Sequence, residues 1–263
     1  MDDIPSEPDS VPKSTPLVSI ITVVYNSQQF LEATILSVAN QQSTNYEFII
    51  IDGGSTDGTL DIIKRYPRVV THWISEPDKG LYDAMNKGLK LATGEYVWFI
   101  NSGDKIYEEN TIALLETIAQ QSSMPDVIYG ETIIINEEDL EIGMRRLSTP
   151  EVLTWKKLID GLVVCHQAIL VKRSLAPFYN TKYKISADYD WILTSLKNAK
   201  VIENSRLILA KYLDNGLSKN NISRALRERF SIMKKNFGFA KTSANHFMIG
   251  FRFFKYVIRY KRF

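Results

Sequence analysis

The chain has 263 residues, of which 44% are hydrophobic and 24% charged, as is usual in globular proteins. Its single cysteine, Cys165, excludes an internal disulfide, and no stretch reaches the roughly 18 uncharged apolar residues that a membrane-spanning helix needs. The formal net charge of +2 is unevenly distributed, because residues 224–263 hold eleven Lys and Arg and one acid. A basic surface is therefore expected only from the C-terminal part of the chain.

The first half of the chain alternates between strand and helix patterns. Residues 1–16 hold four prolines and no apolar run, which predicts a disordered or extended segment without a signal peptide. The elements predicted after it are a strand at 17–24, a helix at 28–40, a strand at 46–51, a helix at 59–65, a strand at 69–74, a helix at 81–92 and a strand at 96–100. This alternation predicts an α/β fold with a mainly parallel sheet flanked by helices.

The second half is more varied. Its predicted elements are a helix at 108–121, short strands at 126–130 and 131–135 in one antiparallel excursion, a polar, loop-rich stretch at 136–149, a strand at 163–171, a helix at 186–198 and a strand at 207–213. From residue 221 the pattern is that of a basic amphipathic helix. We therefore expect a disordered segment (1–16), a main domain (17–215) and a basic helical C-terminal segment (216–263).

A glycine-rich turn, Asp52-Gly-Gly-Ser-Thr-Asp-Gly58, connects a predicted strand with a predicted helix. Glycines let the backbone approach a ligand closely, and Asp52 at the strand tip can accept hydrogen bonds from a base or a ribose. A tight loop in which Thr56 or Asp57 caps the helix explains the same residues. We expect both, with Asp57 as the cap and Asp52 as the binding residue.

A second polar turn, Asn101-Ser-Gly-Asp104, follows the strand at 96–100. Gly103 allows a sharp turn that brings Asp104 to the carboxyl end of the strand, where ligands bind in open α/β sheets. A carboxylate there suits a divalent cation that carries a phosphate, and a plain turn with a solvated Asp is the alternative.

The two turns belong to a set of five motifs that occur in fixed order. These motifs are Val18-Ser-Ile-Ile-Thr-Val-Val-Tyr-Asn26, Ile51-Asp-Gly-Gly-Ser-Thr-Asp-Gly-Thr59, Ser75-Glu-Pro-Asp-Lys-Gly80, Ala84-Met-Asn-Lys-Gly88 and Asn101-Ser-Gly-Asp104. With them the chain resembles the family 2 glycosyltransferases of GT-A fold, most of all the bacterial branch that builds surface polysaccharides. The resemblance covers about residues 17–215. It implies an enzyme that uses a nucleotide-diphosphate sugar, with UDP favoured over GDP or dTDP by family frequency.

The resemblance also implies the residues of the donor site. Those near the base, ribose and phosphates would be Val24, Tyr25, Asn26, Asp52, Asp83, Asn86 and Ser102. Asp104 would bind Mn²⁺ or Mg²⁺ in the place of the family's Asp-x-Asp motif. The chain departs from the family pattern at Gly53, Asn101 and Gly103, where acids are common. A metal held largely by the diphosphate would still need only this one carboxylate.

The family's catalytic base is an acid at a helix N-terminus, and Ser186-Ala-Asp-Tyr-Asp190 matches that position. The resemblance assigns Asp188 as the base that removes the acceptor proton. Asp190 is a second candidate, although it points about 200° round the helix and suits the helix dipole equally well. His166, followed by Gln167, is predicted near the acceptor or the diphosphate, and a buried core histidine is the alternative.

The basic C-terminal segment mixes Lys and Arg with aromatic residues. This combination suits a membrane interface better than nucleic acid or a solvated helix, so we expect a membrane partner and no nucleic acid. Together with the basic C-terminal segment, the resemblance implies a cytoplasmic, inverting hexosyl- or N-acetylhexosaminyltransferase, peripheral to the inner membrane, that acts on a glycan or lipid-linked acceptor. The alternative is a non-catalytic, membrane-associated subunit that binds nucleotide or glycan.

Overall fold

The computed structural model describes residues 15–120, 124–214 and 221–248. Its strands are β1 (Val18–Val24), β2 (Tyr46–Asp52), β3 (His72–Ser75), β4 (Tyr96–Phe99), β5 (Lys105–Ile106), β6 (Val127–Ile135), β7 (Glu141–Met144), β8 (Ile169–Lys172) and β9 (Ile202–Leu213). Its helices are α1 (Leu31–Ala39), α2 (Thr59–Arg65), α3 (Leu81–Leu91), α4 (Thr111–Ala119), α5 (Ala187–Asn198) and α6 (Ile222–Phe237). The predictions for residues 1–14 and 249–263 lie outside the described residues.

The N-terminal half forms a parallel sheet in the order β3-β2-β1-β4. The pairing of β1 with β2 runs from Val18 opposite Tyr46 to Val24 opposite Asp52, so these two strands end level with each other. Every residue of β1 is buried, as its β-branched run predicted. The carboxyl ends of β1, β2 and β4 therefore lie at one edge of the sheet.

The C-terminal half extends the same sheet beyond β4, in the order β8-β6-β9-β5, with β7 beside β6. The β4–β8 and β6–β8 pairs are antiparallel, whereas β6 and β9 are parallel. The predicted α/β fold with a parallel sheet is confirmed, and the antiparallel pairs belong to its second half.

Residues 136–149 are loop-rich, as predicted, and also contain β7. Two other predictions in the second half were wrong. Residues 127–135 form one strand that continues through Gly130, which lies so close to the Leu207 carbonyl that no Cβ would fit. Residues 163–171 contain a 3₁₀ turn, His166–Ala168, before β8 begins. An apolar run does not by itself distinguish a buried strand from a buried turn.

Two hydrophobic cores cover the two faces of the sheet. Alternate residues of β1 point to opposite faces, as a strand requires. Ile21 and Val23 lie in the core that α3, α5 and α6 cover, and Ile20 and Val24 lie in the core that α1, α2 and α4 cover. Because both faces are covered, only the edges and the loops are left for a ligand.

The C-terminal helix α6 packs onto the first of these cores. Ile232 and Met233 are buried there, and Ala225 near its start is also buried. Residues 239–248 are helical as well. In the part of the chain that the structure describes, no helix is long and apolar enough to cross a membrane.

Candidate active site

The predicted donor residues gather where β1, β2 and β4 end. The Gly53 amide donates to the Val24 carbonyl (2.9 Å), and the Ser102 hydroxyl lies 2.8 Å from that of Ser27. Asn26 has a left-handed backbone (φ 45°), and its side chain accepts a hydrogen bond from the Thr56 amide (2.9 Å). The loops after β1, β2 and β4 are therefore tied into one surface.

Within this surface the predicted residues differ in exposure. Tyr25 is 64% exposed, so its ring is free to stack on a base. Asp52 is fully buried, and its carboxylate accepts hydrogen bonds from the Gly54 amide (3.1 Å), the Ser55 amide (3.0 Å) and the Ser75 hydroxyl (2.7 Å). Asp52 thus shapes the loop that surrounds it, and its contact with the nucleoside stays a prediction.

The glycine that departs from the family pattern lies against a different acid. A Cβ built on Gly53 would be 2.9 Å from Asp78 Oδ2 and 3.3 Å from the Tyr25 ring. Asp78 forms an ion pair with Lys87, which also contacts Glu76 at 2.8 Å. Burial alone would lower the pKa of Lys87, but its bonds to the two acids together have the larger effect and raise the pKa overall, so the lysine stays charged. Asp78 fills the space that a larger residue at position 53 would need.

The predicted α3 residues have mainly structural contacts. Asn86 makes two hydrogen bonds to the backbone of Tyr179: its amide donates to the carbonyl (3.0 Å), and its oxygen accepts from the N–H (2.7 Å). Asp83 accepts a bond from the Lys79 amide (3.0 Å). Both side chains are partly exposed, and their predicted position beside ribose and phosphates stays a prediction.

Asp104 lies in the turn after β4, at the same edge of the sheet, and is only 4% exposed. Its two oxygens accept hydrogen bonds from the Gln167 side chain (2.8 Å) and the Leu213 amide (2.9 Å). Burial raises the pKa of Asp104 to about 7, against the opposing effect of these hydrogen bonds. Gly103 beside it has φ +96°, and a Cβ there would lie 2.6 Å from the Leu213 side chain, so this turn requires glycine.

The protein oxygens near Asp104 fit a divalent cation only if ligands from outside the protein complete its coordination shell. Among the described residues, no group of three or more His, Cys, Asp or Glu side chains could hold a metal ion. In the same turn, however, the buried Asn101 side-chain oxygen has no hydrogen-bond partner within the described chain. One carboxylate and one amide oxygen are sufficient for Mg²⁺ or Mn²⁺ when phosphate oxygens supply further ligands.

The predicted base lies at the start of α5, beside a group of aromatic rings. Asp188 Oδ1 accepts hydrogen bonds from the Tyr189 amide (2.8 Å) and, at 3.4 Å, the Tyr82 hydroxyl. The Tyr82 ring stacks on Tyr179 (centroids 5.5 Å apart), and the Tyr179 hydroxyl is 2.6 Å from His166 Nε2. Asp188 is therefore held at the rim of a packed cluster, where it is partly exposed.

The groups around Asp188 are uncharged at neutral pH. Burial lowers the pKa of His166 to about 4, although the charge of Asp188 acts in the opposite direction. Burial and the same charge raise the pKa of Tyr82 and Tyr179 well above the ordinary value. His166 is thus a buried, neutral histidine that bonds Tyr179, whereas the Asp188 side chain is partly exposed.

The second candidate base, Asp190, does not join this cluster. Burial raises its pKa, against the opposing charges of Lys235 in α6 and Lys197 in α5. Its place in the first helical turn, where the helix dipole favours an acid, agrees with the alternative given for it above. The structure brings Asp188 and His166 together and leaves Asp190 apart.

A family model for glycosyl transferase family 2 matches residues 19–176 of the chain, which is more than half of its length. The chain belongs to this family. This glycosyltransferase is 32% identical over 219 residues to a PGL/p-HBAD biosynthesis glycosyltransferase of Mycobacterium tuberculosis, covering 80% of the chain and 81% of the relative. It is 27% identical over 244 residues to the putative teichuronic acid biosynthesis glycosyltransferase TuaG of Bacillus subtilis, covering 88% and 96%.

Solved structures confirm the GT-A fold of this glycosyltransferase. S. aureus TarS 1–349 in complex with UDP-GlcNAc superposes with a TM-score of 0.65 at 21% identity, covering 88% of this chain and 73% of that one. The mannosyltransferase PcManGT from Pyrobaculum calidifontis, in complex with GDP-Man and Mn²⁺, gives 0.58 at 16% identity, covering 89% and 75%. At these identities the similarity establishes the fold and leaves the donor open.

Three contacts of this glycosyltransferase were not found from the sequence. They are the hydrogen bond of Gln167 to Asp104, the position of Asp78 against Gly53 and the hydrogen bond of Tyr82 to Asp188. Asp78 lies in one of the five motifs, which was a signal for it. The other two join residues 63 and 106 positions apart, and no local pattern indicates such pairs.

Proposed function

We propose that this chain is an inverting glycosyltransferase that moves a hexosyl or N-acetylhexosaminyl unit from a UDP-sugar to a glycan or lipid-linked acceptor in polysaccharide biosynthesis. One observation carries the proposal: two adjacent residues link the predicted metal ligand to the predicted base. Gln167 donates to Asp104, and His166 bonds the hydroxyl of Tyr179, whose ring stacks on the tyrosine that donates to Asp188. The donor phosphate at Asp104 and the acceptor hydroxyl at Asp188 would then both be placed by the segment that contains residues 166 and 167.

The donor half of the proposal is supported by the loops after β1 and β2. The exposed Tyr25 ring offers a stacking surface for a base, and Asp78 beside it offers a carboxylate held in place by Lys87. The solved structures of similar fold include one complex with UDP-GlcNAc and one with GDP-Man. UDP is our proposal because of the family resemblance.

A divalent cation, when bound with the donor, would stabilise the negative charge that develops on the departing diphosphate. Asp104 and the Asn101 oxygen are the protein groups that would hold it. The hydrogen bonds from Gln167 and Leu213 fix the Asp104 carboxylate in one orientation before the donor arrives. In this arrangement the protein alone binds the cation weakly, and the nucleotide and the cation bind together.

The chemical step is proposed as a single displacement. Asp188 accepts the proton of the acceptor hydroxyl while that oxygen forms a bond to the anomeric carbon. The bond from the anomeric carbon to the diphosphate oxygen breaks with its electron pair, so the nucleoside diphosphate leaves and the configuration inverts. The Tyr82 hydroxyl and the Tyr189 amide keep the Asp188 carboxylate oriented toward the acceptor.

Membrane contact through the C-terminal segment is part of the proposal. Five apolar side chains on α6 and residues 239–248 are largely exposed: Ile222, Leu226, Phe239, Phe247 and Met248. They lie among arginines and lysines, a combination that favours anionic lipid at the cytoplasmic face of the inner membrane. Co-sedimentation with vesicles that contain phosphatidylglycerol, and not with pure phosphatidylcholine vesicles, would support this location.

The function is tested by incubating the protein with UDP-glucose, UDP-galactose, UDP-GlcNAc or GDP-mannose, Mn²⁺ or Mg²⁺, and octyl glycosides as acceptors. Transfer from one donor, with an inverted anomeric configuration in the NMR spectrum of the product, is the expected result. Donor binding without release of nucleoside diphosphate under any condition would favour the non-catalytic binding subunit. Retention of configuration would refute the single displacement.

A further inference from the structure

The start of α5, which carries Asp188, is held by a residue from another helix. Three successive backbone N–H groups converge on the carboxylate of Glu228 in α6. Their donors are Lys184 (3.0 and 3.1 Å to the two oxygens), Ile185 (2.9 Å) and Ser186 (3.0 Å). A concave row of backbone amides of this kind is an anion-binding arrangement, and here a side chain of the protein fills it.

The residue that precedes α5 does not cap the helix with its own side chain. Ser186 is the residue that precedes the helix, but its hydroxyl makes no capping bond to α5 and instead donates to the Ala225 carbonyl in α6 (3.3 Å). The residues before it, 180–185, form turns and bends and no regular element. The start of α5 is therefore tied to α6 through both Glu228 and the Ser186 hydroxyl.

Glu228 is well suited to this role. Its side chain is only 11% exposed, and Arg224, one turn earlier in α6, donates to it at 3.0 Å. Burial would raise the pKa of Glu228, yet the bonds from Lys184, Ile185 and Arg224 lower it overall, so the acid is charged at neutral pH. A buried carboxylate that accepts this many hydrogen bonds is held in one position.

The helix that carries Glu228 is itself anchored at both ends. Ala225 is buried beside Ser186, and Ile232 and Met233 are buried in the core on the α5 side of the sheet. Near its C-terminus, Phe237 stacks on Trp155 (centroids 5.5 Å apart). Glu228 is thus held rigidly enough to position the segment that it contacts.

We infer that Glu228 is a positioning residue for the proposed base: it fixes residues 184–186 and, through them, the place of Asp188 two residues later. The C-terminal helix is then part of the catalytic apparatus as well as a candidate membrane contact. This inference rests on the proposed function, because it concerns the base of that reaction. A purely structural role for Glu228 would leave turnover unchanged in a variant that remains folded, whereas a positioning role predicts that such a variant loses turnover.

The test compares Glu228→Ala and Glu228→Gln with Glu109→Gln, a matched change at an exposed acid in the loop before α4. Transfer is measured well below the melting temperature of each variant. Glu228→Ala should lower kcat about 10- to 100-fold with a donor KM within about twofold of wild type, because a misplaced base affects the chemical step. Glu228→Gln keeps an oxygen acceptor and should lose less, and Glu109→Gln should match the wild type.

Hydrogen exchange on the full-length protein gives a readout that does not depend on activity. The amides of residues 184–189 should exchange faster in Glu228→Ala than in the wild type or in Glu109→Gln, and amides in β1 should not change. Unchanged exchange at 184–189 would overturn the inference, and so would faster exchange with an unchanged kcat. Transfer by the wild-type protein tests the proposed function separately, since that function fails only if the wild type transfers no sugar.

Discussion

Replacing Asp188 with asparagine is the sharpest test of the chemical step. The asparagine oxygen can still accept the bonds that Tyr189 and Tyr82 now donate to Asp188 Oδ1, so the geometry of the cluster is kept. What is lost is the ability to take a proton. His166 does not replace it, because burial lowers the pKa of His166 to about 4 and its Nε2 is bonded to Tyr179.

The size of the effect follows from this arrangement. General base catalysis typically contributes about 10²- to 10⁴-fold, which corresponds to a barrier change of about 3–5 kcal/mol. With no substitute base in the cluster, we expect Asp188→Asn to reach the upper part of that range in kcat. The Kd for the nucleotide should stay within about twofold, because Asp188 lies in the acceptor half.

Asp190→Asn is the matched control in the same helical turn. The charges of Lys235 and Lys197 act on Asp190, whereas Asp188 is the acid that acts on Tyr82 and Tyr179, so transfer should stay within about threefold of wild type. Both variants are assayed by release of nucleoside diphosphate and by product formation. Transfer by Asp188→Asn at more than a tenth of the wild-type rate would remove it from the role of base, and an inactive Asp190→Asn would point to the second carboxylate instead.

Three further variants test the scaffold of the site. Gly103→Ala forces a Cβ into a left-handed turn and against Leu213, and should lower the free energy of unfolding by about 1–3 kcal/mol in thermal or urea melts. Asn86→Ala removes two bonds to the Tyr179 backbone and should cost about 1–3 kcal/mol in the same melts. Burial raises the pKa of Asp104 to about 7, so its contribution to stability is complete below pH 4 and is lost as the pH rises through 7. In EDTA, the free energy of unfolding of Asp104→Asn, measured relative to that of the wild type, should therefore increase by about 2–4 kcal/mol between pH 4 and pH 8. A constant difference between the two proteins would contradict that assignment.

The sequence predicted the parts of the fold that local patterns encode. The β-branched run of β1 and the glycine and polar residues beside α2, α3 and α5 predicted these elements nearly to the residue. Because parallel strands end at one edge, the same pattern placed Asp104 and the Asp52 loop on one side of the molecule. These predictions needed only the apolar runs and the glycine and polar residues that bound them.

The parts that were missed depend on contacts between distant residues. The pairing of β6 with β9 holds Gly130 in a strand that its local sequence would break. The turn at His166–Ala168 exists because the Trp98 indole donates to the Gln167 carbonyl (2.8 Å) and the Gln167 side chain reaches Asp104. One sequence, considered without those of its relatives, carries no local signal for pairs of this kind.

The central claim is that a nucleotide-sugar site lies at the sheet edge that ends in Asp104. Calorimetry with UDP, GDP and dTDP, each with and without Mn²⁺ or Mg²⁺, on wild type and Asp104→Asn tests it most directly. We predict that one of the three nucleotides binds, that binding requires the cation, and that Asp104→Asn lowers the affinity at least about tenfold. Absence of binding by all three nucleotides under every condition would contradict the account.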